Sequence, residues 1–134
     1  QGDTINTPSM LCVADYLDAL QWCEGVGGVP GTIARSTANL KAIEDFVATH
    51  PWISFLAKTP ETRSNTSVCL SLDLPAEQVK ALVKLLEKEG VAYDIGSYKD
   101  APPRLRIPCR APVETAGGHA LPPRLGWAYE QIKV

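Results

Sequence analysis

One continuous stretch, SVCLSLDLPAEQVKALVKLLEKEG (residues 67–90), most narrows what this chain can fold into. Its first seven residues alternate well enough for a strand with one face buried. Pro75 then opens a helix, and Glu77 stands in the first turn, where the helix dipole favours an acid. Val79, Leu82, Val83 and Leu86 recur at spacings of three and four, which gives one apolar helix face, and Gly90 stops it. A strand period passing directly into a helix period points to a mixed fold in which helices cover a sheet.

The rest of the chain shows the same two periods. Leu11, Ala14, Leu17 and Leu20, with Val13 beside them, form a stripe on a helix predicted from Pro8 to about Glu24. Gly25, Gly27 and Gly28 stop it. A second helix is predicted from about Gly31 to Thr49. Ile33, Leu40, Ile43 and Val47 form its apolar face, Glu44 and Asp45 its wet side, and His50-Pro51 its end. WISFLA (52–57), VAYDIGSY (91–98) and RLRIPC (104–109) read as further strands, the last cut short by Pro108. The segment from about His119 to Ile132 reads as helix in its last part, with Pro122-Pro123 and Gly126 obscuring its start. The expected fold is α+β: a small, mainly antiparallel sheet of about four strands with helices packed on it. No internal repeat, low-complexity segment or domain boundary is evident.

At 134 residues, 45% hydrophobic and 21% charged, the chain is large enough for one core and ordinary for a globular domain. A net charge of −2 gives no electrostatic footprint for nucleic acid or a membrane surface, and no apolar run is long enough to span a bilayer. The chain begins at Gln1 without a signal-peptide pattern, so it reads as a piece of something longer, with processing as the alternative explanation of its start; the cysteine usage is that expected of a cytoplasmic protein. Cys12, Cys23, Cys69 and Cys109 lack the spacing of a zinc knuckle or a redox pair. On one helix Cys12 and Cys23 stand about 16 Å apart, beyond disulfide reach. All four are expected to be reduced and mostly buried, and no metal site is expected.

Candidate binding residues fall in two places. Asn6 and Thr7 are good helix caps, and Pro8 suits a first helical position. A helix N-terminus binds anions readily, although a cap serving only its own helix explains the same residues. Arg104 and Arg106, two apart on a short strand, share a face, while Leu105 and Ile107 point to the core. A guanidinium on a rigid strand is suited to gripping a carboxylate bidentately, and Tyr98 and Lys99 stand just before the turn into that strand. Ordinary solvated arginines are the alternative. His50, at a helix end, and His119, in a Gly-rich turn, read as structural. GVGGVPG follows a helix, so it reads as an interhelical turn rather than a phosphate loop. No nucleophile elbow, Walker loop or metal-ligand cluster is present.

INTPSMLCVADYLDALQW, TRSNTSVCL, LLEKEGVAYDIGSYKDAPPRLRI and WAYEQ together resemble the C-terminal part of the phosphoserine aminotransferases. The resemblance covers nearly the whole chain and fades after Glu114. It implies a homodimeric pyridoxal-phosphate enzyme of fold type I. Such an enzyme moves an amino group between glutamate and 3-phosphohydroxypyruvate, giving 2-oxoglutarate and phosphoserine in serine biosynthesis, with a related step in vitamin B6 synthesis. Residues 1–134 would be the small C-terminal domain with the helix leading into it. The large cofactor-binding domain and its Schiff-base lysine would lie before Gln1, so this stretch alone would be inactive and hold no catalytic residue. The resemblance matches Asn6 and Thr7 to donors for the cofactor phosphate in the other subunit's site, and Arg106 to the residue holding the substrate α-carboxylate. Tyr98-Lys99 falls where many relatives carry a His-Arg pair near the substrate phosphate, one residue further from the arginine. Arg104 matches no known role. A stand-alone, non-catalytic module for small-anion binding or dimerisation is the rival reading. Isolated, Leu11, Leu17, Leu20 and Trp22 would lack cover, so a dimer or a rearranged first helix is expected.

Overall fold

The computed structural model describes residues 4–96, 98 and 101–133, and at 115 and 118 the backbone only. Its contacts divide the chain into two units, 1–34 and 35–134.

The first unit holds α1 (Met10–Gly25) and the opening turns of α2 (Gly28–Thr49). The cap of α1 is Ser9, not Thr7: its Oγ accepts from the Cys12 amide at 3.4 Å. Pro8 therefore lies ahead of the cap rather than in the first turn. Two cap-competent residues stand two positions apart, and the local signal does not choose between them. Of the GVGGVPG stretch only Val26 and Gly27 form the turn between the helices; Gly25 ends α1, and α2 starts at Gly28, three residues earlier than expected. Gly27 and Gly28 take φ of 98° and 65°, which glycine adopts without strain. At Gly31 an added Cβ would lie 1.9 Å from the Val26 carbonyl oxygen, so only glycine fits that approach. No residue of α1 is buried, and Met10, Leu11, Tyr16 and Leu17 are largely exposed. Ile33, expected on the apolar face of the second helix, is also exposed.

The second unit holds the remainder of α2, then β1 (Ile53–Phe55), a 3-10 turn at Pro60–Thr62, β2 (Ser67–Leu72), α3 (Ala76–Lys88), β3 (Leu105–Pro108) and α4 (Thr115–Ile132). The three strands form one antiparallel sheet in the order β1-β2-β3. The register aligns Phe55 with Leu70, Leu70 with Leu105, and Val68 with Ile107, so one sheet face is continuously apolar. Ile43 and Phe46 of α2, Leu82 and Leu86 of α3, and Leu125, Ala128 and Tyr129 of α4 complete that core.

The strand expected at 91–98, third of the four expected, does not form in the described residues, whose sheet has three strands. Asp94 has a φ of 53°, in the left-handed region, and this turns the chain where a strand needs continuous extension. What remains of the pairing is one bond, from the Arg106 amide to the Ile95 carbonyl at 2.8 Å, beside a fully buried Ile95 side chain.

α4 begins at Thr115 and runs through Pro122-Pro123, so His119 lies on a helix rather than in a turn. Each proline removes one helical N–H. Burial of Leu125, Ala128 and Tyr129 on the following turns outweighs that loss, as packing often outweighs local propensity.

Polar contacts fix the segment after β3. Asn39, almost fully buried on α2, donates through Nδ2 to the carbonyls of Cys109 at 3.2 Å and Val113 at 3.0 Å. Arg35 Nε donates to the Ala111 carbonyl at 2.8 Å, and its Nη2 reaches Glu114 at 3.0 Å. His50 is structural: it stacks on Phe46 at 4.0 Å and its Nδ1 lies 2.8 Å from the Phe46 carbonyl. All four cysteines are free. Only Cys109 is buried, and burial pushes its thiol up to about 11; Cys12, expected to be covered, is exposed.

Candidate functional site

Arg106 stands in β3 opposite Cys69 of β2, on the sheet face away from the core. The strand period dictates this, because Leu105 and Ile107 on either side are buried. Its guanidinium is held at both ends. Nη1 donates to the Tyr98 hydroxyl at 3.1 Å, and Nη2 donates to Asp94 Oδ2 at 3.1 Å. The Tyr98 ring lies under the cation, with its centroid 4.7 Å from Cζ, within the range of cation–π attraction. Nε is buried and has no acceptor among the described residues.

An open cavity of about 370 Å³ adjoins the guanidinium, lined also by Thr66, Ser67, Tyr93, Asp94 and Arg110. Three hydroxyls and two guanidiniums face one carboxylate there, a donor-rich lining suited to a small oxyanion. The lining holds no histidine or cysteine. Among the described lining residues there is no Cys–His or Ser–His pair for nucleophilic chemistry.

Tyr98 and Arg106, both expected at the site, are in direct contact. Lys99 lies outside the described residues. Arg104 does not share the cavity of Arg106. It lines a separate hollow with Val79, Lys80, Val83, Lys84 and Tyr98. It precedes β3, so the period of two that orients Arg106 does not govern it. Asp94, Thr66, Ser67 and Arg110 were not expected. Thr66 and Ser67 are legible as the polar start of a strand, but the partner of Arg106 depends on the left-handed turn at Asp94, which sequence period does not encode.

Asn6 and Thr7 belong to the first unit and are exposed, three and two residues ahead of the Ser9 cap. Their side chains make none of the hydrogen bonds among the described residues, so an amide and a hydroxyl are available as donors. Those donor types fit a phosphate. The support expected from the helix end is weaker, because α1 starts only at Met10 and Ser9 already engages the Cys12 amide.

The loop TRSN is occupied structurally. Arg63 lies 4.1 Å over the Phe55 ring and 3.6 Å from Glu44, and Asn65 donates to Ser36 Oγ at 3.2 Å. Among the described residues no group of three or more His, Cys, Asp or Glu side chains is placed to hold a metal ion. No described helix is long and apolar enough to cross a membrane.

No family model matches the chain. Curated relatives include the phosphoserine aminotransferase of Methanosarcina mazei, 52% identical over 133 residues, and that of Methanosarcina barkeri, 53% identical over 133 residues. Each alignment takes in 99% of this chain and 36% of the relative, so the chain spans about a third of the length of the curated relatives it matches. Among solved structures, phosphoserine aminotransferase from Bacillus circulans subsp. alkalophilus shares the fold, with a TM-score of 0.85 at 20% identity. That match covers 94% of this chain and 34% of the other. A phosphoserine aminotransferase studied for radiation damage of its Schiff base gives a TM-score of 0.84 at 17% identity, covering 94% of this chain and 35% of that one. At the identity of the Methanosarcina proteins, the chain is homologous to one third of a phosphoserine aminotransferase.

Proposed function

We propose, taking that kinship as the premise, that this chain is the small C-terminal domain of a phosphoserine aminotransferase, preceded by its linker helix α1. The observation that carries the reading is the 52% identity across 99% of the chain. In this reading the whole protein is a cytoplasmic, homodimeric transaminase that uses pyridoxal phosphate. Its substrates are glutamate and 3-phosphohydroxypyruvate, its products 2-oxoglutarate and phosphoserine, in serine biosynthesis, with a related step toward vitamin B6. The cofactor, when bound, supplies the electron sink for amino-group transfer. The lysine that carries it belongs to the large domain, so residues 1–134 alone are inactive.

The residues here bind and orient. Arg106 grips the substrate α-carboxylate; its strand setting and the Tyr98 ring beneath it support this role. In the same reading Tyr98 and Lys99 are residues that bind substrate. Asn6 and Thr7 donate to the cofactor phosphate of the other subunit, consistent with their exposed donor groups. The exposed apolar side chains of α1 are covered by the large domain and the second subunit.

The test uses the intact enzyme. Arg106→Gln and Arg106→Lys are expected to raise KM for glutamate at least tenfold, because lysine keeps a charge but not the fork. Asn6→Ala with Thr7→Ala is expected to weaken retention of pyridoxal phosphate, read by equilibrium dialysis and absorbance. An unchanged KM in Arg106→Gln would remove the carboxylate assignment.

A further inference from the structure

We infer that Asp94 is a built-in stand-in for the ligand carboxylate on Arg106, and that a two-oxygen anion binds by displacing it. The inference rests on the reading of Arg106 as a carboxylate-binding residue and names the residue that sets its selectivity. Asp94 meets the guanidinium through one oxygen, Oδ2, at 3.1 Å from Nη2. Tyr98 occupies the other arm at 3.1 Å. Nε–H is left buried without an acceptor among the described residues, an arrangement that carries a desolvation cost. A carboxylate presented to the Nε–Nη2 edge satisfies two N–H groups where Asp94 satisfies one, and forked pairing is the stronger mode.

Asp94 is built to let go. Its side chain is 90% exposed, so release into water costs little. Its backbone is held by its neighbour: Ile95 is buried, and its carbonyl accepts the Arg106 amide at 2.8 Å. Exchange therefore needs only a side-chain rotation. The φ of 53° at Asp94, the one positive value among described non-glycine residues, sets the carboxylate at this point of the turn. Arg110, on the same cavity wall, supplies a second cation for an incoming anion. Asp94 thus sets a threshold: an anion that contacts a single N–H gains nothing over the resident carboxylate, and one that bridges two does.

The experiment is calorimetric titration of the intact protein with glutarate, a plain dicarboxylate, in wild type, Asp94→Asn, Asp94→Gly and Arg106→Gln. Asparagine and glycine both accept a positive φ, so neither variant strains the turn. Removing the competing charge is expected to tighten glutarate binding about threefold to fivefold in both Asp94 variants, the scale of one exposed ion pair. Arg106→Gln is expected to abolish binding. If wild type binds through Arg106 while both Asp94 variants bind equally or more weakly, the stand-in role is overturned and the carboxylate reading of Arg106 survives. If wild type does not bind, or Arg106→Gln binds as well as wild type, both readings fall.

Discussion

Two regions of this chain place similar apolar side chains in opposite settings. α1 carries Met10, Leu11, Leu17 and Leu20, and not one of its residues is buried. The second unit carries Leu70, Leu82, Leu86, Leu105 and Leu125, each at 0% exposure. The periods in sequence look alike. What differs is the partner: α3 packs with α4, and each strand lies in one register under the helices, whereas α1 finds no cover among the described residues. An apolar stripe specifies that a face wants covering, not that its own chain supplies the cover.

The comparison breaks most sharply at the core. Leu82→Ala is expected to lower the unfolding free energy by about 2–5 kcal/mol, and Leu17→Ala by no more than about 0.5 kcal/mol, in urea titrations of residues 1–134. Comparable losses at the two positions would mean that α1 is packed in solution. Next in size is Asn39→Ala, which leaves the Cys109 and Val113 carbonyls without their donor and is expected to cost about 1–3 kcal/mol in the same assay.

The cysteines sharpen the contrast by pH. The Cys109 thiol, ordinarily titrating near 9.0, is raised to about 11 by burial. The folded state thus keeps a proton that the unfolded state loses first. Its contribution to stability is complete below about pH 9 and disappears as pH rises through 11. Thiol labelling at pH 8 is expected to modify exposed Cys12 quickly and Cys109 only on unfolding, read by mass spectrometry of the labelled peptides. The smallest change in folding energy is expected at Leu17→Glu, within about 0.5 kcal/mol. Sedimentation velocity is nonetheless expected to show weaker self-association, because a charge on the uncovered face opposes its burial.

Much of the architecture is legible in sequence where period and punctuation agree. α3 lies between Pro75 and Gly90 as expected, with Val79, Leu82 and Leu86 inward. β2 and β3 fall within the expected stretches, and the alternation that buries Leu105 and Ile107 leaves Arg106 on the open face. The misses share a cause, which is that one residue's conformation decides more than its neighbours' pattern. Asp94 in the left-handed region turns an apparent strand into a bent segment and, in the same step, places a carboxylate on Arg106. Ser9 rather than Thr7 caps α1, because both residues have a suitable oxygen and only backbone geometry chooses. α4 passes through two prolines because long-range packing supplies what local propensity withholds.

The bonds from α2 to the segment after β3 carry a consequence for the order of folding. Asn39 and Val113 are 74 residues apart in sequence, and Arg35 and Glu114 are 79 apart. Each doubling of a closed loop costs about 0.6 kcal/mol of chain entropy. A clasp of this span is therefore favoured only after the sheet has already shortened the path between its ends. The β1–β2 pairing and α3 are expected among the early events, and the Asn39 clasp among the late ones. Its removal should then leave the refolding rate nearly unchanged and appear almost wholly as faster unfolding. The same clasp that fixes the cavity wall near Arg110 would act as the latch whose opening begins the unfolding of this unit.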